Sequence, residues 1–199
     1  MPTTILAIES SCDETAVAIL RHNGGVAEIL SSEISSQIDI HREFGGVVPE
    51  LASRNHSLHL RPLIEIALKN SGVAIDNIDA IGATAGPGLA SSLLVGNTTA
   101  KAMAMAIGKP FISINHMEGH LLSPFMNRMT LEPNLALIVS GGHTMLIHMK
   151  AFGEYSLLGS TRDDAAGEAY DKVGKMLGLP YPGGPEIEKQ ACEGSTQAF

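Results

Sequence analysis

Tryptophan is missing from this chain, aromatic residues make up only 4% of it, and charged residues only 17%. A core without large rings has to be built from aliphatic side chains and the nine methionines, whose flexible thioethers fill irregular gaps. Cysteine is scarce as well. Cys12 and Cys192 lie near opposite ends, too few for a disulfide framework, which points to a reducing compartment. No apolar run reaches membrane-spanning length, and the first residues lack the basic stretch and long apolar segment of a secretory leader. Those absences predict a cytosolic protein with no membrane association. Basic residues number 13 against 21 acidic ones, a formal charge of −8, which excludes a chain that wraps nucleic acid unaided. A nucleic-acid role therefore requires a local basic patch or a partner. What is plentiful is aliphatic: 44% hydrophobic content over 199 residues suits one large domain or two small lobes burying a real core.

Short β-branched runs open the chain. Thr4 to Ile8 and Thr15 to Leu20 flank the polar turn Glu9 to Glu14 and predict a hairpin, with Val26 to Ser36 as a third strand. From Pro49 to Asn70 apolar residues recur at helical spacing, closed by Ser71 and Gly72; Pro62 predicts a break or two helices. Ile78 to Thr84 reads as a buried strand, Leu89 to Ile107 as an Ala-rich helix, and Phe111 to Asn115 as another strand. Leu135 to Val139 and Thr144 to Met149 form a second strand–turn–strand unit, followed by a helix over Asp163 to Leu177 and a tight turn before a last helix. The helix after Leu89 carries Gly96, Ala100 and Ala104 four residues apart. Such a stripe permits close backbone approach, and spacing alone favours internal packing over a partner interface.

The run His116-Met117-Glu118-Gly119-His120 sets two imidazoles four residues apart, on one face of a helical turn. Neutral imidazole suits zinc or ferrous iron, and two such ligands with an acidic third leave positions open for a substrate oxygen. The zinc-protease pattern H-E-x-x-H needs glutamate directly after the first histidine, where this chain has Met117; Glu118 lies roughly 200° around the helix from His116. Coincidence in a chain with eight histidines is the competing explanation.

Both hairpin turns are rich in small residues and hydroxyls. Ser140-Gly141-Gly142-His143 suits an anion-binding concavity of amides and equally suits ordinary hairpin chemistry. Gly86-Pro87-Gly88 leads into a helix but matches neither G-x-x-x-x-G-K-[ST] nor G-x-G-x-x-G. Asp13 and Glu14 suit orientation of a metal, a water or a substrate amine, or simply a solvated turn.

Together these segments resemble the TsaD/Gcp family of tRNA threonylcarbamoyladenosine synthesis proteins. The likeness runs through ESSCDET from Glu9, GGVVPELASRNH from Gly45 to His56, TAGPGL from Thr84, HMEGHLL from His116, VSGGHT from Val139, and DDAAGEAYDK through YPGGP from Asp163 to Pro185. It implies an α/β, actin-like and Hsp70-like (ASKHA, ribonuclease H-like) two-lobed fold. The first lobe would span 1–115, and an incomplete second lobe over 116–199 would carry metal and adenylate motifs. It implies transfer of threonylcarbamoyl from threonylcarbamoyl adenylate to the exocyclic amine of the adenosine beside the anticodon, in tRNAs reading codons that start with A.

By the family pattern, His116 and His120 hold one Fe2+ per subunit, alternatively Zn2+. Val139, Ser140, Gly141, Gly142 and His143 line the adenylate site, Asp171 and Gly184 meet the nucleoside, and Asp13 sits near the phosphate and the attacking amine. The implied partners are tRNA, the adenylate, and TsaB-like and TsaE-like proteins. Family members pair through this first lobe, so the resemblance makes the Pro49–Asn70 and Leu89–Ile107 helices with their small-residue stripe an expected TsaB-docking surface. Members also continue well past residue 199 and supply a third, aspartate, ligand there. The chain is therefore expected to be a truncated form that does not turn over. A glycoprotease-like metalloprotease and a non-catalytic TsaB-like scaffold are the rival readings; the displaced Glu118 counts against the first and the histidine pair against the second.

Overall fold

The computed structural model describes residues 2–126, 128, 130–195 and 197. They form two compact units: residues up to Gln37 together with Val47–Thr130, and Ile38–Gly46 together with the residues from Leu131 onward. The boundary expected after Asn115 falls instead after Thr130, so both histidines of the HMEGH run belong to the first unit.

In the first unit, β1 (Thr3–Glu9) and β2 (Glu14–His22) make the expected hairpin, and β3 (Ala27–Ser36) adds to it antiparallel. The short α1 (Ile38–Arg42) belongs to the second unit. After it come α2 (Pro49–Ser71), β4 (Ala80–Gly86), α3 (Ala90–Ala106), β5 (Phe111–Asn115) and α4 (His116–Leu122). Strand order is β3-β2-β1-β4-β5, with β4 parallel to both β1 and β5. This mixed sheet is the ribonuclease H-like arrangement that the motifs imply.

Alternation decides the core. Thr4, Leu6 and Ile8 on β1 and Thr15, Val17 and Ile19 on β2 are buried, while the residues between them are half-buried on the opposite face. Leu60, Leu63, Ile64 and Ala67 of α2 and Ala100 and Ala104 of α3 complete one cluster with the buried strand residues. Each large aliphatic side chain buried there stabilises by roughly 1.5–3 kcal/mol.

Two expectations are corrected here. Pro62 does not divide α2, which runs unbroken from Pro49 to Ser71 and ends at Gly72 in the left-handed conformation (φ 66°). Pro62 and Leu58 both lie on the exposed side, so water can serve the Leu58 carbonyl that lacks a helical donor. The stripe on α3 faces inward: Gly96, Ala100 and Ala104 are buried, and a Cβ on Gly96 would lie 2.3 Å from Ser10 Oγ and 3.2 Å from Ile8 Cγ2. Gly96 seats on Ile8 of β1 and on Ser10 just after it, so the stripe is a buried packing face and cannot dock a partner.

The second unit holds an antiparallel meander, β6 (Asn134–Val139), β7 (Thr144–Ala151) and β8 (Glu154–Ser160), followed by α5 (Ala166–Met176) and α6 (Gly183–Ala191). β8 was not expected, because its sequence is mostly exposed and lacks an alternating apolar pattern. Its signal is the two-residue turn Phe152-Gly153, with Gly153 at φ 78°, closing the Ala151–Glu154 pair. α5 and α6 meet backbone to backbone: a Cβ on Gly183 would lie 2.6 Å from the Tyr170 carbonyl oxygen, and one on Gly174 would lie 2.8 Å from Gly183 Cα. No helix among the described residues is long and apolar enough to cross a membrane.

Candidate functional site

Ligands of open α/β sheets gather at the carboxyl ends of parallel strands. In the first unit that edge brings together Glu9 at the end of β1, Thr84 near the end of β4, and His116 directly after β5. The register Ile8↔Ala83 and Ala83↔Ser113 sets the three ends side by side. Asn115 caps α4, its Oδ1 accepting from the amides of Met117 (2.9 Å) and Glu118 (3.2 Å). The cap starts the helix at His116, and the i, i+4 spacing then brings His120 alongside. Their rings meet edge to face with centroids 4.6 Å apart, and the two Nε2 atoms are 3.2 Å apart.

That separation is a test of the metal reading. Two nitrogens each about 2.0–2.1 Å from one ion, at bond angles between octahedral and tetrahedral, stand about 2.8–3.4 Å apart. The pair fits. Among the described residues no group of three His, Cys, Asp or Glu side chains is placed to hold a metal ion, and the two Nε2 atoms stand within hydrogen-bonding distance of each other.

Behind His116 lies an acceptor that sequence reasoning did not single out. Glu9 accepts from the Ser11 amide and the Thr84 hydroxyl, and its Oε2 is 3.4 Å from His116 Nδ1. Ser11 Oγ is 3.2 Å from the same nitrogen. Burial pushes the Glu9 carboxyl up, but hydrogen bonds with His116, Ser11 and Thr84 outweigh it and bring the group from an ordinary 4.5 down to about 2. A carboxyl lowered by folding stabilises the fold fully above its unfolded value, and that contribution disappears as pH falls from about 4.5 through about 2. Glu9→Gln is accordingly expected to lower the thermal midpoint at pH 7, with the gap to wild type closing as the pH approaches 2. Melting curves across that range check it; a gap independent of pH would show that Glu9 acts through packing alone.

Asp13 stands in the β1–β2 turn, half-buried, and its carbonyl accepts the Gln37 amide at 3.0 Å. The same turn is held by His56, which is fully buried on α2. Its Nε2 lies 3.0 Å from the Cys12 carbonyl, and its Nδ1 lies 2.8 Å from Thr15 Oγ1 and 3.3 Å from Gln37 Nε2. A carbonyl only accepts, so Nε2 carries the hydrogen and Nδ1 accepts from the hydroxyl and the amide. His56 was missed, although its position between Ala52 and Leu60 in the buried stripe of α2 was the available signal. The Gly86-Pro87-Gly88 loop also closes on this turn. The Leu89 amide donates to the Ser11 carbonyl (2.8 Å), and a Cβ on Gly88 would come within 2.6 Å of that oxygen.

In the second unit, exposed Val139 ends β6 and Ser140 to His143 form the turn to β7. Two of the amides expected to cradle a ligand are engaged inside the turn. Ser140 N donates to the His143 carbonyl (2.8 Å) and His143 N donates to Ser140 Oγ (3.0 Å). The Ser140 carbonyl accepts Gly167 N (3.0 Å), and Thr144 Oγ1 accepts Ala166 N (2.8 Å), tying the turn to the start of α5. Gly141 and Gly142 are exposed, neither has a left-handed φ, and a Cβ on either would meet open space. Where α5 meets α6, Asp171 Oδ1 accepts the amide of Gly183, the residue before Gly184, at 2.7 Å. Asp171 also borders a cleft of about 230 Å³ with Arg42, Phe44, Lys175 and Tyr181.

Residues 28–199 match the family model described as TsaD, tRNA N6-adenosine threonylcarbamoyltransferase. The curated protein of that name from Anaeromyxobacter dehalogenans is 54% identical over 198 residues, which cover 99% of this chain and 58% of the relative. The one from Clostridium perfringens is 54% identical over 196 residues, 98% of this chain and 57% of the relative. This chain thus spans less than two thirds of the length of the curated relatives it matches. Among solved structures, YeaZ from Pseudomonas aeruginosa superposes with a TM-score of 0.53 at 19% identity, covering 82% of this chain and 72% of that one. A second solved structure, of a protein described as similar to peptidase YEAZ from Pseudomonas aeruginosa, gives 0.52 at 22% identity over 79% of this chain and 64% of that one. These structural likenesses speak for the fold.

Proposed function

The chain belongs to the TsaD family of tRNA N6-adenosine threonylcarbamoyltransferases, and from that premise we propose that it serves the transfer of threonylcarbamoyl from threonylcarbamoyl adenylate to the adenosine beside the anticodon. The observation that carries this reading is 54% identity maintained over 99% of the chain, in which the converging imidazoles of His116 and His120 are present. In the reaction, the exocyclic amine attacks the carbamoyl carbon, the bond to the phosphate oxygen breaks, AMP leaves, and the amine gives up a proton.

Each group in this chain has a proposed share. Asp13, on a turn pinned by His56 and Gln37, is placed in that share near the attacking amine and takes its proton. His116 and His120 hold the metal, Fe2+ or alternatively Zn2+. Such an ion supplies Lewis acidity to carboxylate or carbonyl oxygens of the substrate. Val139 and the Ser140–His143 turn receive the adenylate, with Gly141 and Gly142 offering the close backbone approach, since the Ser140 and His143 amides serve the turn itself. Asp171 and Gly184 meet the nucleoside beside the cleft lined by Arg42 and Lys175. With a formal charge of −8, tRNA is held jointly with TsaB-like and TsaE-like partners in the cytoplasm.

The test is tRNA modification with threonylcarbamoyl adenylate and both partners, using this chain and a version extended by a relative's C-terminal segment. Nucleosides are read by mass spectrometry after digestion. Modification by the extended protein but not by a partner-only reaction supports the proposal; none from either protein overturns it. The adenylate loop has its own test. Because residue 142 has open space and an ordinary φ, Gly142→Val is expected to fold normally yet weaken binding of a non-hydrolysable adenylate analogue about tenfold, the scale of one hydrogen bond to a charged group. Calorimetric titration measures it, and equal affinities would remove the loop from the site.

A further inference from the structure

We propose that Glu9 is a positioning residue for His116, fixing the imidazole with its hydrogen on Nδ1 and its Nε2 lone pair turned toward His120. This rests on the reading of the two histidines as a ligand pair. The Glu9 carboxylate closes a ring of donors drawn from three adjacent parallel strands: the Ser11 amide after β1, the Thr84 hydroxyl on β4, and His116 Nδ1 after β5 at 3.4 Å. An ionised carboxylate only accepts, so each group facing it has to donate, and a neutral imidazole that donates from Nδ1 is left with its lone pair on Nε2. Ser11 Oγ, 3.2 Å from Nδ1, adds a second contact that stops the ring from turning over. Ligating histidines use the distal nitrogen in this way, and loss of the supporting acceptor weakens metal affinity. Glu9 touches neither substrate nor metal in this role; it acts through His116.

Glu9→Gln separates this role from simple packing. It keeps the side chain's length, and its amide oxygen can still accept from Ser11, but an NH2 group then faces Nδ1 and Thr84. Nδ1 must accept from it, and the hydrogen moves to Nε2, where it competes with a metal.

The experiment uses the full chain, 15N-labelled and metal-free at pH 7, with the tautomer of His116 read from two-bond proton–nitrogen correlations. Zn2+ affinity is then measured by competition with a chromophoric chelator. Wild type is expected to show the Nδ1–H form. Glu9→Gln is expected to show the Nε2–H form and to bind Zn2+ about 10–100-fold more weakly while circular dichroism stays native. An Nε2–H form in wild type overturns the proposal by itself, whatever the variant does, and so covers a variant that fails to fold. His120→Ala distinguishes the underlying reading. If Zn2+ affinity depends on His120 but not on Glu9, the ligand pair stands and the positioning role falls; if it is indifferent to His120, the ligand pair itself falls.

Discussion

Gly96→Val is expected to lower the melting midpoint by about 10 °C or more, or to leave the protein insoluble. A Cβ at this position already lies 2.3 Å from Ser10 Oγ and 3.2 Å from Ile8 Cγ2, and valine adds two methyl groups to a gap that does not hold one carbon. Relief by moving Ser10 breaks two buried hydrogen bonds, from Ser10 Oγ to the Ser92 carbonyl (2.9 Å) and from the Gly96 amide to Ser10 Oγ (3.1 Å). The alternative is to lift α3 off β1, which uncovers Ala100 and Ala104 along the same stripe. Overpacking costs about 1–3 kcal/mol and each of two stranded polar groups about 1–3 kcal/mol, so a total of about 3–9 kcal/mol consumes much of a typical stability of roughly 5–15 kcal/mol. At about 2–4 °C per kcal/mol for a chain of this size, the midpoint shift follows. Thermal circular dichroism measures it, with Gly119→Ala as the comparison, because a Cβ there meets nothing within 4 Å. Similar midpoints for the two variants would show that α3 is not seated on β1 as described.

His56→Ala is expected to cost about 3–5 kcal/mol and to loosen the turn carrying Asp13. The substitution removes a fully buried ring and with it one donor and one acceptor. The Cys12 carbonyl loses its donor, while the Thr15 hydroxyl and the Gln37 amide lose the nitrogen to which they donate. Alanine leaves a void lined by polar atoms, and water entering it cannot reproduce the ring's rigid reach from α2 to the turn. Chemical denaturation gives the stability change, and amide hydrogen exchange over residues 10–15 gives the local one. Unchanged exchange there would separate His56 from the turn and reduce its role to packing within α2.

Much of the first unit was legible in the linear pattern, since alternating burial needs only the two-residue period of a strand and a helical stripe only its own spacing. The β1–β2 hairpin, β3, α3, β5 and the limits of α2 follow from such local rules. So does the face shared by His116 and His120, because i and i+4 meet on any helix. The turn signal for β8 was present at Phe152-Gly153, but an edge strand with little burial carries no alternation to find.

Periodicity says which residues share a face and is silent on what that face meets. The family, most of the elements and the pairing of the two imidazoles are thus readable from linear order. Long-range packing is what sets Gly96 of α3 against Ser10 and Ile8, puts Pro62 where its missing donor faces solvent, and spends His56 on the Asp13 turn. It also decided the contact of Glu9 with His116 across 107 positions. The physical reason is register: the parallel pairing of β1, β4 and β5 aligns three strand ends that are remote along the chain, and a hydrogen bond reaches only about 3 Å, so a slip of one residue would turn Glu9 to the other face of the sheet.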